Sequence, residues 1–441
     1  MGLIKDGGGE DALVSVATRV YLQQVQSSGA VGVSPPPDLN VCDPNRIQKP
    51  SEMSSADVYD CVVVGAGVQG SFTAYELAKG GRRTVLLEQF LLPPTPGGAL
   101  TARPASSARP YEQDFYIPMM HHAYQLWTQL EKEAGVKLYR QTGLLVMGPG
   151  DGHAYRQVKD TLLRNRIPMV PLTRDNFSQH IPNVNLPEGN EALVDVGAGI
   201  LYADRALKTA RDLFQKLGGV IRDNEEVTDI QPGAVVTVRT AARVYRARSV
   251  VVTVGAWAAK LLARTGLQLP LEVMRMKVCY WREKVPGTYS ADRQFPCFIM
   301  TEGNEFPAHI YGLPSHEYPG LVKVCNHVGV KVDPDQRDQR VEDWDVDLLK
   351  RFVAQFLPGL VPEPAVVETC MYTMTPDTHF VLDRHPAHSN IVIGAGFSGH
   401  GFKFGPLVGK LLCELSQGEE PSHDLSPFRI SRFQEKIKSA L

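Results

Sequence analysis

Two glycine phrases lie near opposite ends of this 441-residue chain: VVVGAGVQG over Val62–Gly70 and IVIGAGFSGHGFK over Ile391–Lys403. In the first, Gly65, Gly67 and Gly70 have GxGxxG spacing, with Ala66 and Val68 between them. A first glycine there makes a tight turn, a second lets a pyrophosphate approach the backbone, and a third lets helix and strand pack closely. The helix that follows turns unpaired N–H groups towards the phosphates. Glu88, followed by Gln89, stands about 20 residues past the first glycine, where a carboxylate accepts the ribose hydroxyls of an adenosine. The motif alone does not choose between NAD and FAD. A further turn, Gly255-Ala256-Trp257, is of the kind that covers the adenine side of an FAD. The second phrase adds Gly396, Phe397, Ser398, Gly399 and Gly401, which bring backbone close to the flavin and ribityl parts of a long cofactor. The phrase therefore recurs because two distant segments close on opposite ends of one extended FAD.

Other residues carry chemistry more ambiguously. Lys323 lies in GLVKVCNH, on a predicted strand where period two turns it away from Val322 and Val324; taken alone, this describes a lysine on a solvent face. Tyr311, His327, His400 and Lys403 are each compatible with an ordinary surface or sheet position. Cys370, in ETCMYTMTPD, reads by itself as a small buried hydrophobe. His385 and His388 in RHPAH are too few for a metal site, and no metal is expected.

The elements that must position these residues are legible as patterns. Val58–Val64, Thr84–Leu87, Ser249–Thr253 and Ile391–Ile393 are short, apolar, β-branched runs expected of buried parallel strands. Helices are expected over Ser71–Lys79 and Pro406–Leu415. Between the nucleotide-type segments, Met274–Trp281, Pro296–Met300, His309–Leu313 and Gly320–Val324 alternate apolar and polar residues between turn signals, as in the sheet that walls a substrate pocket.

The formal net charge of −2 argues against binding nucleic acid or an anionic membrane. No run approaches the ~18 apolar residues of a membrane span. Seven scattered cysteines without a CxxC pair suggest neither a disulfide framework nor zinc, which fits a reducing or peroxisome-like compartment. Residues 1–57 are rich in glycine, proline and acid and read as a disordered extension, with a short possible helix at Ala12–Gln26 and a natural start at Met53. The C-terminal Ser439-Ala440-Leu441 is similar to the peroxisomal import tripeptide, with Ala440 in place of the usual basic residue. It raises a peroxisomal import receptor as a partner, with the cytoplasm as the alternative location.

Taken together, GAGVQGSFTAYELA, LLEQF, RQTGLL, CYWRE, HIYGLPSHEYPGLVKV, CMYTMTPD, LDRHP and GFSGHGFK resemble the monomeric sarcosine oxidase family of amine-oxidising flavoproteins, from about Tyr59 to Ile430. The resemblance implies α/β plus α+β architecture: a Rossmann-like FAD domain of the glutathione-reductase type interwoven with a mixed-sheet substrate domain. The expected division assigns 58–139, 191–270 and 369–432 to the FAD domain, 140–190 and 271–368 to the substrate domain, and 433–441 to a tail. It further implies a monomer that oxidises a secondary amino acid (sarcosine, L-pipecolate or L-proline), passing a hydride equivalent to the flavin and then electrons to O2. By the same resemblance Lys323 activates oxygen, Lys403 and His400 hold the substrate carboxylate, Tyr311 and His327 line the pocket, and Cys370 bonds covalently to the flavin.

One segment departs from the family. After LLEQF the family places an arginine pair, R-x-x-R, close to the flavin; here the chain reads PGGALTARPASSARPYEQDFY, and the two positions fall on Ala105 and Ala108. Arg103 and Arg109 are out of step. Two rival readings follow: a flavin dehydrogenase that uses a carrier protein, and a flavin-binding protein that has lost turnover.

Overall fold

The computed structural model describes residues 58–92, 105–106, 113–301, 306, 309–316, 318–339 and 344–433. The N-terminal extension, most of the loop 96–110 and the tail beyond Phe433 lie outside them. The described residues all fall in one compact unit.

Five parallel strands form the heart of the first sheet, in the order Val220–Arg222, Thr84–Leu87, Tyr59–Val64, Val244–Val252, His388–Ala395. Both faces of Cys61–Val64, Thr84–Leu87, Ser249–Val252 and Ile391–Ala395 are buried, as helix-covered parallel sheets require. Val63, Leu86, Val251 and Val392 enter one core, and Val62, Val64, Val252 and Ile393 enter another. The long strand Val244–Val252 divides its outer edge. Its first half takes the antiparallel strand Val236–Thr240, itself paired with Val227–Gln231, and its second half takes His388–Ala395. This split brings both glycine phrases to the same end of the sheet, at the carboxyl ends of the two parallel strands that flank Val244–Val252, where ligands of open α/β sheets bind.

Two helices continue the phrases, Val68–Lys79 and Gly405–Gln417. They pack face to face because the second presents glycines to the first. A Cβ on Gly405 would sit 2.7 Å from Val68 Cγ2, and one on Gly409 would sit 2.6 Å from the Phe72 carbonyl carbon. Helices Tyr116–Ala134 and Ala203–Lys216 complete that core.

A second, mixed sheet runs in the order Val330–Lys331, Glu272–Glu283, Leu321–Asn326, Ile310–Leu313, Cys297–Met300, Leu144–Pro149, Asn190–Asp195, Met169–Leu172, with Leu360–Met374 on the other edge of Glu272–Glu283. Only Cys297–Met300 and Leu144–Pro149 run parallel. Helix Trp344–Phe356 covers one face, packing on Trp281, Phe298, Val322 and Val324. The opposite face carries Val278, Tyr280, Leu321 and Cys325, with Tyr311 and Cys370 against them.

Two expected boundaries move. Asn190–Asp195 belongs to the second sheet, because it pairs antiparallel with Leu144–Pro149 along its whole length, so the nucleotide segment begins after Asp195 and not at 191. Leu360–Met374 stays in register with Glu272–Glu283 from Leu360 to Met374, so the substrate segment extends through Met374 and does not end at 368.

Candidate active site

The first glycine turn shows why its three glycines differ. Gly65 has φ +97°, and a Cβ on it would meet the Thr253 carbonyl oxygen at 2.5 Å; on Gly70 it would meet the Gly65 carbonyl oxygen at 1.8 Å. These two glycines serve backbone packing. Gly67 is different: a Cβ there would meet nothing within 4 Å. It opens onto a cavity of about 570 Å³. The helix start beside it has neither a side-chain cap nor an acidic residue in its first turn, leaving its N–H groups and positive dipole end available to an anion.

Gly65, Gly67, Val68, Glu88, Gln89, Gly255, Trp257, Phe397, Ser398, Gly399 and Gly401 all line this cavity. Residues of both phrases therefore reach one space. Ala66 is placed behind the turn, its amide donating to Glu88 Oε2 at 2.8 Å, while Phe90 donates its amide to Oε1 at 3.0 Å. Burial raises the Glu88 pKa, opposed by these amides and by the Arg211 guanidinium. Arg211 bonds the Ala66 carbonyl and donates to Ser71 Oγ at 3.3 Å. Gly255, at φ +54°, also has open space where its Cβ would be.

The glycines of the second phrase answer to different neighbours from those expected. A Cβ on Gly396 would lie 2.4 Å from Thr375 Cγ2, on Gly399 2.5 Å from Tyr372 Cε2, and on Gly401 2.6 Å from Phe397 Cδ1. Their small size is required by protein packing; Gly399 and Gly401 line the cavity with their backbone, and Gly396 does not line it. Ser398 takes a left-handed φ of 47° and holds it by accepting from the Thr375 amide at 3.2 Å and donating to the Gly396 carbonyl at 3.2 Å.

The remaining candidates gather on the second sheet's inner face. Lys323 is not on a solvent face: it is 9% exposed, sharing the face of Leu321 and Cys325 because Val322 and Val324 point to helix Trp344–Phe356. Its Nζ stands 6.0 Å from the centre of the Tyr311 ring. Tyr311 and Tyr372 hydroxyls meet at 3.2 Å, and the His327 ring lies 5.3 Å from Tyr372 and 6.2 Å from Tyr311. Cys370 is half-buried on this face, opposite Met276. Burial pushes its thiol up to about 11, with the Lys323 ammonium opposing.

Lys403 follows the second phrase, its carbonyl accepting from Trp127 Nε1 at 2.8 Å. Burial pulls its ammonium down to about 8. His400 bonds the Thr378 carbonyl through Nε2 at 3.0 Å; burial and the Lys403 charge pull it down to about 3. His327 falls to about 4 through burial, His309 and Lys403. The arrangement is a cationic lysine beside two neutral imidazoles and a buried tyrosine pair. It can hold an anion while offering acceptors to an amine.

Several residues at the site were not singled out in the sequence. Tyr372 lines the cavity and joins it to Tyr311 and His327; it stands two residues from Cys370, on the same strand face, which was the available signal. Phe90 packs on Trp257 with ring centres 5.4 Å apart, and Arg337 stands 5.1 Å from the Phe90 ring. Trp257 donates to Asp335 at 2.6 Å and Lys260 pairs with Asp333 at 2.6 Å, contacts between distant segments that carry no local signature. His385 and His388 stack at 4.8 Å, and among the described residues no group of three His, Cys, Asp or Glu side chains could hold a metal. No described helix is long and apolar enough to cross a membrane.

The chain is similar over nearly its whole described length to proteins of one kind. It is 50% identical over 380 residues to the peroxisomal sarcosine oxidase of Homo sapiens, covering 86% of this chain and 97% of that one. It is 35% identical over 381 residues to the monomeric sarcosine oxidase of Bacillus sp. (strain B-0618), covering 85% and 96%. Among solved structures, the glycine oxidase of Geobacillus kaustophilus superposes with a TM-score of 0.72 at 21% identity, over 85% of this chain and 99% of that one. NikD, an unusual amino acid oxidase essential for nikkomycin biosynthesis, superposes with a TM-score of 0.75 at 23% identity, over 85% and 98%. With the family match extending over residues 60–415, and with a cavity that both glycine phrases line, the chain belongs to the FAD dependent oxidoreductase family.

Proposed function

We propose that this protein is an FAD-dependent oxidase of secondary amino acids, of the sarcosine type and extending to cyclic substrates such as L-pipecolate or L-proline. The observation that carries the reading is the cluster of Tyr311, Lys323, His327, Tyr372 and Lys403, joined through Tyr372 to a cavity lined by both glycine phrases. Bound FAD supplies the acceptor for a hydride equivalent from the carbon beside nitrogen and returns the electrons to O2 as hydrogen peroxide.

In this reading Gly67 and the start of helix Val68–Lys79 meet the pyrophosphate, and Glu88 meets the adenosine ribose. Lys403 draws in the substrate carboxylate, with His400 beside it. His327 and His400 stay neutral at physiological pH, so neither adds a charge that would repel a substrate ammonium, and each offers an acceptor for its proton. The Lys323 ammonium stabilises negative charge as oxygen is reduced. Cys370 shares its sheet face and would hold the flavin through a thioether, the thiol proton being lost and the flavin, reduced by two electrons in that step, being reoxidised by O2. A monomer fits the family, and the named peroxisomal relatives and the Ser439-Ala440-Leu441 end favour peroxisomal import.

Oxygen electrode and peroxide assays with secondary amino acids test this. Peroxide should form in step with oxygen uptake, and Lys323→Met should lower that rate by ~10²–10³-fold, the range for one preorganised charge. Acid should precipitate the flavin with the protein, and release it from Cys370→Ser. Reduction of an artificial acceptor without peroxide would favour the dehydrogenase reading, and no turnover of any amine would favour a flavin-binding protein.

A further inference from the structure

Gln69 stands directly before the last glycine of the first phrase, is 5% exposed and lines the cavity. Its Nε2 donates to the Gly401 carbonyl at 3.1 Å, across 332 residues of sequence. That bond fixes the orientation of the side-chain amide, because only the NH2 end can donate to a carbonyl. The other end, Oε1, has no hydrogen-bond partner among the described residues. A buried acceptor is rarely left unpaired in a native protein, since its desolvation is then uncompensated.

The chemistry of the missing partner is constrained. It must donate. Phosphate oxygens and flavin carbonyls only accept, so the pyrophosphate is excluded, although it is the group the glycine turn is built for. The donors of FAD are its ribose and ribityl hydroxyls, the adenine amino group and the flavin N3–H, and of these the ribose and ribityl hydroxyls adjoin the pyrophosphate that the turn is built for. Glu88 is held by the Ala66 amide at the start of the turn and is read as meeting the adenosine ribose, whereas Gln69 is bonded to Gly401 in the second phrase, the phrase of His400 and Lys403. From this we propose that Gln69 is a cofactor-positioning residue: its NH2 ties the two glycine phrases together through Gly401, and its Oε1 accepts a hydrogen bond from a ribityl hydroxyl of FAD.

This rests on FAD filling the cavity, and the test separates the two claims. In full-length Cys370→Ser protein, where the flavin can exchange, FAD affinity is measured by fluorescence quenching for FAD and for analogues lacking single ribityl or ribose hydroxyls. One ribityl-deoxy analogue should bind roughly two- to tenfold more weakly, the size of one neutral hydrogen bond. Gln69→Met should weaken FAD by a comparable or larger factor and abolish discrimination against that analogue alone. The analogue series in unmodified Gln69 protein needs no variant to fold. Equal affinity for FAD and every ribityl-deoxy analogue, or discrimination that survives in Gln69→Met, overturns the assignment of Gln69, and a water is then the donor. Absence of FAD binding by any form overturns the cofactor reading instead.

Discussion

Burial pulls the Lys403 ammonium down to about 8, and under the proposal that Lys403 holds the substrate carboxylate, capture depends on pH with a definite sign. Below about 8 the ammonium is charged and pairs with a carboxylate. As pH rises through that value the proton leaves, and the attraction leaves with it. His327 and His400 lose their protons at about 4 and about 3, so they stay neutral and add no inflection between pH 5 and 8. The dissociation constant of a carboxylate inhibitor that lacks an amine should be flat from pH 5 to about 7.5 and then rise roughly tenfold per unit. Lys403→Met should bind the inhibitor more weakly at pH 7 and show no such inflection. An unchanged slope in that variant would take Lys403 out of the site. An arginine would not serve the same way, since it stays charged throughout this range and its fork has a different geometry.

At the scale of elements, the site depends on two helices held at close distance. Gly405 and Gly409 leave no room for a side chain against Val68 and Phe72. The shared approach aligns the two phrases whose residues line the cavity. Gly409→Ala should force the helices apart and cost about 1–3 kcal/mol, seen as a lower Tm and faster loss of flavin on heating; an unchanged Tm would show that the crossing is looser than described. Much of this was legible in the sequence. The β-branched runs before each glycine phrase locate the parallel strands, and alternation around Lys323 places it opposite Val322 and Val324. What lies on that opposite face was not legible, because the cover comes from Tyr311 and Cys370 on other strands. The expected boundary at 191 cuts through Asn190–Asp195 for the same reason: the partner of that strand, Leu144–Pro149, is set by pairing at a distance. The side chains that the second phrase's glycines make room for, Tyr372, Thr375 and Phe397, were not legible, because the fold brings them there.

At the scale of the whole molecule, one departure bears on activity. The family's arginine pair falls on Ala105 and Ala108. Ala105 lies in the two-residue strand Ala105–Ser106, which pairs with Leu201 and Ile200, and Ala108 lies outside the described residues. Lys403 alone lacks the bidentate geometry that an arginine gives to carboxylate recognition. The described lining of the cavity is drawn from other segments, and FAD binding and turnover are measured separately. Anaerobic titration of the holoprotein with a secondary amino acid, followed by flavin absorbance, tests whether the bound cofactor is reached by substrate. An oxidase should bleach with about one substrate per flavin, and regain its colour with release of peroxide when air is admitted. A flavin spectrum that stays oxidised under every secondary amino acid tried would contradict the account.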